Sequence, residues 1–84
     1  MREDAAAALR ALVAGLNADR WRGRTYRAFW YWYDAQTAAI AGMATTAAEV
    51  DEIRDALLDV YADVDEGGYT VETERLDQVI ALAD

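Results

Sequence analysis

RWRGRTYRAFWYWY, residues 20–33, is the stretch whose reading decides the fold. It holds four of the eight arginines, all three tryptophans, the only phenylalanine and three of the five tyrosines. Large aromatics bury the most area per residue, so the core and any partner surface must rest largely on this segment. From Thr25 to about Met43 it reads as a helix with Thr25 as its cap, and its wheel has two apolar faces. Tyr26, Phe29, Trp30, Tyr33, Thr37 and Ile40 form one stripe, while Ala28, Ala35, Ala38, Ala39 and Gly42 form a smooth strip nearly opposite. A helix apolar on both sides belongs at the centre of a bundle or between subunits. Trp30 lies in the stripe and is expected in the core. Tyr31 and Trp32 lie outside it and are expected to protrude.

Upstream, Leu9, Leu12, Val13 and Leu16 recur at helical spacing, with Glu3 and Asp4 in the first turn where they suit the helix dipole. This predicts a helix from Glu3 to about Leu16 and a short connection from Asn17 to Arg24. Downstream, Thr46-Ala47-Ala48-Glu49 is a capping box before an apolar-periodic run, which predicts a break near Thr45 and a third helix to about Asp63. Val50, Ile53, Leu57, Val60, Tyr61 and Val64 share one of its faces; Asp51, Glu52, Asp55, Asp59 and Asp63 lie largely on the other. Gly67-Gly68 ends it. A fourth helix is expected from Thr70 or Thr73 through Leu76, Val79, Ile80 and Ala83, with residues 69–72 open to an extended alternative. The expected fold is all-α: one domain, residues 1–84, built as a small antiparallel bundle of about four helices.

Nineteen alanines and the absence of proline favour helix throughout. Cysteine is absent, which excludes disulfides and thiolate metal sites. No stretch reaches the roughly 20 apolar residues of a membrane span, and the first residues carry no secretory pattern. The expected location is the cytoplasm or a particle. The formal net charge is −8, with no lysine. Carboxylates hold water, and salt screens their mutual repulsion, so this composition points to a protein working in concentrated salt. The charge is also divided: residues 1–27 carry +3 and residues 28–84 carry −11. A chain split this way can pair with itself or with a copy of itself.

Catalysis is not expected. His, Cys, Ser and Lys are all absent, which removes the common nucleophiles and the usual base near neutral pH. No cofactor or small-molecule ligand is expected. Residues 63–74 resemble an EF-hand calcium loop, with Asp63, Asp65 and Glu74 at positions 1, 3 and 12 and Gly68 at position 6. Gly67 stands at position 5, where the loop needs an oxygen ligand, and no second loop is present. An acidic helix end running into a Gly-Gly turn is therefore expected, and no metal.

Trp21-Arg22-Gly23 followed by Phe29 is similar to the WXG family of small secreted helical hairpins, and Tyr61-Ala62-Asp63-Val64-Asp65 matches the Tyr-x-x-x-Asp/Glu signal that closes the family's second helix. The resemblance implies a two-helix hairpin turning at Trp21–Gly23, although the first helix here is about half the length the family needs. Arg20, Arg22, Arg24 and Arg27, interleaved with Trp21 and Tyr26, form a basic and aromatic patch. The negative net field repels nucleic acid and acidic membranes, so these arginines are expected to meet carboxylates of the later helices or of a neighbouring protein. The expectation is a non-enzymatic assembly or adaptor subunit, as in a virus particle, binding a protein partner or itself through Arg20, Trp21, Arg22, Arg24, Tyr31 and Trp32. The alternatives are an acidic inhibitor whose third helix imitates nucleic acid, and a WXG-type hairpin.

Overall fold

A computed structural model describes residues 1–82. The fold is all-α, a small bundle in which α1 (Glu3–Gly15), α2 (Ala18–Trp21), α3 (Tyr26–Ala41) and α4 (Ala47–Glu66) surround one core. α3 packs against both α1 and α4. The Arg2 guanidinium donates to Thr45 Oγ1 at 3.3 Å, which puts the start of α1 beside the α3–α4 connection. α1 and α4 thus begin at the same end of the bundle, and α3 runs antiparallel to both.

Each boundary has a local cause. Thr25 Oγ1 accepts from the Ala28 amide at 3.2 Å at the start of α3. Thr46 Oγ1 accepts from the Glu49 amide at 3.1 Å at the start of α4. Thr45, which lies outside the sequence motif, belongs to this cap as well: its hydroxyl donates to Glu49 Oε1 at 2.6 Å. That bond is the main reason the Glu49 carboxyl titrates below its usual value. The predicted connection 17–24 contains a helical turn, α2, opened by Asn17 Oδ1 accepting from the Asp19 amide.

The predicted fourth helix does not form. After Gly68, at φ +86°, the chain makes a single 3₁₀ turn, Thr73–Arg75, continues through a turn and a bend at 76–78, and crosses the start of α3 at Val79. Ala83 lies outside the described residues. Ile80 is buried, while Val79 and Ala81 on either side of it are exposed. Val79 forms an isolated antiparallel bridge with Thr25. The first N–H groups of a helix have no partner within it, and this strap supplies two: Tyr26 N donates to Gln78 O at 3.1 Å and Arg27 N to Leu76 O at 2.8 Å. Gly23 N and Arg24 O bond Ile80 O and Ile80 N at 3.1 and 2.7 Å. A helical strap would have turned these groups onto itself and left the start of α3 exposed.

Phe29 is fully buried at the centre of the core. Tyr69 stacks on it with centroids 4.2 Å apart, and Trp21 meets it edge-on at 5.1 Å. The roles of the tryptophans differ from expectation. Trp21, expected at a partner contact, is 1% exposed, and its Nε1–H donates to Gly15 O at 2.8 Å, satisfying a carbonyl at the end of α1. Trp30 is half-buried and donates to Tyr69 O at 2.9 Å. Trp32 does not protrude. It is half-buried, lying on Trp21 at 5.2 Å and so close to Gly15 that a Cβ there would come within 2.4 Å of its ring.

The two resembling motifs find other uses. Trp21-Arg22-Gly23 does end in a turn, with Gly23 at φ +90°, between the antiparallel α1 and α3, but the second arm stops at Ala41 and α4 begins anew at the Thr46 cap, so Tyr61 to Asp65 close a different helix. Asp63 and Asp65 sit on the last turn of α4, and Asp65 accepts from the Thr70 hydroxyl at 2.8 Å. Among the described residues no three acids gather as a calcium loop requires.

Candidate interaction surface

A chain with sixteen acids and eight arginines has carboxylates to spare for every guanidinium. Arg22 reaches Asp19 Oδ1 at 2.9 Å and Leu82 O at 3.2 Å. Arg27 meets Asp77 at 2.8 Å, a bond that pulls the Asp77 carboxyl below its usual range. Arg2, Arg10 and Arg54 likewise reach acids. Arg20 and Arg24 do not: among the described residues neither has a carboxylate within 4.0 Å. Both are stacked on indoles instead. The Arg20 guanidinium lies 4.9 Å from the Trp21 ring and 4.8 Å from the Trp32 ring, and that of Arg24 lies 5.3 Å from Trp21. Stacking holds a planar cation in place and leaves its N–H edge free for an anion.

These side chains border one open groove of about 470 Å³ lined by Arg20, Trp21, Arg24, Thr25, Arg27, Ala28, Tyr31 and Trp32. Each element contributes for a structural reason. α2 and the turn at Gly23 carry Arg20 and Arg24, which with Arg75 on the strap are the arginines without an ion pair among the described residues; Trp21, pinned by Gly15, forms the floor; the first two turns of α3 supply the wall. Tyr31 is 82% exposed at the rim. Beyond it, the outer face of α3 continues as exposed Ala35, Ala38 and Ala39, so the smooth strip predicted from the sequence faces solvent beside the groove. Of the six residues expected to bind a partner, the fold brings Arg20, Trp21, Arg24, Tyr31 and Trp32 together and turns Arg22 away toward the C-terminal strap. Arg27, foreseen in the basic patch but not among those six, lines the groove as well, and Thr25 joins it unforeseen.

Comparison with protein-family models, curated proteins and solved structures finds no match for the chain. Its own geometry therefore has to carry the functional reading.

A second surface was missed. At 100° per residue the apolar positions of α4 sweep roughly 160° of its circumference, more than one core can cover. Ile53, Val60 and Val64 are buried, whereas Val50, Leu58 and Tyr61 are exposed and, with Tyr33, Ala41 and Leu57, line an apolar groove of about 440 Å³ between α3 and α4. Val50 and Tyr61, expected on the buried face with Val60, are thus corrected to the exposed side; the adjacent pairs Leu57-Leu58 and Val60-Tyr61 were the signal, since neighbours on a helix stand about 100° apart. The remaining face of α4 holds Asp55, Asp59 and Asp63, all exposed and without an ion pair among the described residues. No described helix is long and apolar enough to cross a membrane.

Proposed function

We propose that this protein is a non-enzymatic interaction subunit, a structural or adaptor component of a larger complex such as a virus particle, that grips a carboxylate-bearing protein surface in the Arg20–Trp32 groove. The observation that carries this reading is the pair Arg20 and Arg24, two oriented guanidiniums without a carboxylate among the described residues, in a chain with an excess of them. Guanidiniums bind carboxylates through two parallel N–H bonds, and arginine and aromatic residues are the types enriched at interface hot spots. The net charge of −8 argues against nucleic acid as the ligand, because the field around the molecule repels it. The acidic, lysine-free composition fits a salt-rich setting, in the cytoplasm or in a particle.

The test is a titration of tryptophan fluorescence with a helical peptide bearing Asp at every fourth position. Trp21 and Trp32 lie under the guanidiniums, so binding should change their emission, and Arg20→Gln with Arg24→Gln should abolish the change. An unchanged spectrum, or a response that survives both substitutions, contradicts the reading. A second reading, an acidic inhibitor that imitates nucleic acid, draws support from the unpaired Asp55, Asp59 and Asp63 of α4. Under it, the protein would displace DNA from a basic groove, and Asp→Asn changes on α4 would end that competition.

A further inference from the structure

We infer that the occupant of the groove is the acidic face of α4 from a second copy, so that the protein assembles head to tail; this rests on the proposed function and names its partner. Charge complementarity carries the inference. Among the described residues the groove offers two guanidiniums, Arg20 and Arg24, that no carboxylate satisfies, and α4 offers three exposed carboxylates, Asp55, Asp59 and Asp63, that no cation satisfies. These acids stand at i, i+4 and i+8, so they form a row with steps of about 6 Å.

The two surfaces cannot meet within one molecule. No residue of α4 lines the groove. Ile53, Val60 and Val64 of α4 are buried in the core, Asp55 and Asp59 lie on the face of the helix away from them, and Asp63, exposed at the flank, borders the end of α1 and the turn at Gly67. The groove opens on the opposite, outer side of α3, beside Ala28, Tyr31 and Ala35. Ala35 and Ala38, exposed and small, leave room for a helix to lie along α3 with its acids over Arg20 and Arg24. A contact between two different patches on opposite sides of a molecule is heterologous, and it adds copies in a row instead of closing a two-fold dimer.

The electrostatics give this contact a distinctive salt response. Two copies of charge −8 repel at long range in dilute buffer, where the screening length is about 30 Å at 0.01 M. Near 0.15 M that length falls to about 8 Å, which suppresses the net repulsion and spares the close Arg–Asp attraction. Molar salt weakens both. Association is therefore strongest at intermediate salt.

Sedimentation velocity on the full chain, from micromolar to millimolar concentration at three salt levels, tests this. The parent should add copies beyond the dimer as concentration rises, most at intermediate salt. Arg20→Gln/Arg24→Gln should be monomeric, and so should Asp55→Asn/Asp59→Asn/Asp63→Asn, whose changes are solvent-exposed and leave the core untouched. A one-to-one mixture of the two variants should form a dimer and nothing larger, because each retains one intact surface. If the arginine variant loses its helical circular dichroism, Arg24→Gln alone replaces it, with at least a tenfold weaker association expected. A parent that stays monomeric at millimolar concentration, or multimers that survive the Asp→Asn changes, overturns the inference. Monomers that still bind the acidic peptide in the groove overturn self-assembly alone and leave the proposed function standing. Monomers that bind neither overturn both.

Discussion

Replacing Trp21 by Phe separates the two tryptophans that meet at Gly15. In the parent, Trp21 Nε1–H donates at 2.8 Å to Gly15 O. Phenylalanine keeps an aromatic ring but leaves that carbonyl without its partner, which costs about 1–3 kcal/mol. The ring is also smaller by about 40 Å³, and at about 24 cal/mol per Å³ of cavity this adds about 1 kcal/mol. The total of about 2–4 kcal/mol compares with about 4–13 kcal/mol of stability for a domain of this length. At about 4–8 °C per kcal/mol, the melting temperature should fall by about 10–30 °C. Trp32→Phe is the control. The Trp32 indole N–H has no protein acceptor among the described residues, and its ring is half-exposed, so this change should cost about 1 kcal/mol or less. Thermal melts followed by circular dichroism and by calorimetry measure both. A Trp32→Phe loss equal to or larger than that of Trp21→Phe would mean that the wrong indole has been placed in the core.

Ile80→Ala should cost about 2–5 kcal/mol as a buried truncation, whereas Val79→Ala, at a side chain 58% exposed, should be nearly silent in urea melts; equal effects would mean that Ile80 is not the residue that anchors the strap in the core. Thr46→Ala should cost about 1 kcal/mol, and Thr45→Ala should also be destabilising, because its hydroxyl holds Glu49. The Glu49 carboxyl is depressed in the folded protein, so its contribution is present above its unfolded pKa and disappears as the pH falls through the folded value. The gap between parent and Thr45→Ala should accordingly close on acidification below about pH 4, and a gap constant with pH would contradict this assignment. Stability should rise from dilute to molar salt as repulsion among the acids is screened, and a flat or falling melting temperature would remove the adaptation to high salt.

The three long helices were legible because their signals are local. Thr25 and Thr46 cap where the sequence places them, and the apolar spacings of α1, α3 and α4 pick out Leu12, Phe29, Tyr33, Ile40, Ile53, Val60 and Val64 of the core, while Val13, Val50 and Tyr61 from the same spacings are exposed. The strap was illegible because its cause is non-local. Leu76, Val79 and Ile80 have spacing that suits a helix, and nothing nearby reveals that the carbonyls of Leu76 and Gln78 are needed by the start of α3 some fifty residues upstream. The interaction surface was partly legible for the same reason. Composition singled out residues 20–33, but the burial of Trp21 depends on the carbonyl of Gly15, and the freedom of Arg20 and Arg24 depends on where every acid of the chain ends up.

The central claim is that Arg20 and Arg24 are held ready for carboxylates, and the side-chain Nε–H resonances of these arginines test it most directly. In nitrogen-15 NMR spectra recorded during titration with the Asp-bearing helical peptide, the signals of Arg20 and Arg24 should shift and sharpen as each guanidinium gains a partner. Those of Arg22 and Arg27, already bonded to Asp19 and Asp77, should move little. Shifts confined to Arg22, Arg54 or the amides of α4, with Arg20 and Arg24 unmoved, would contradict the account.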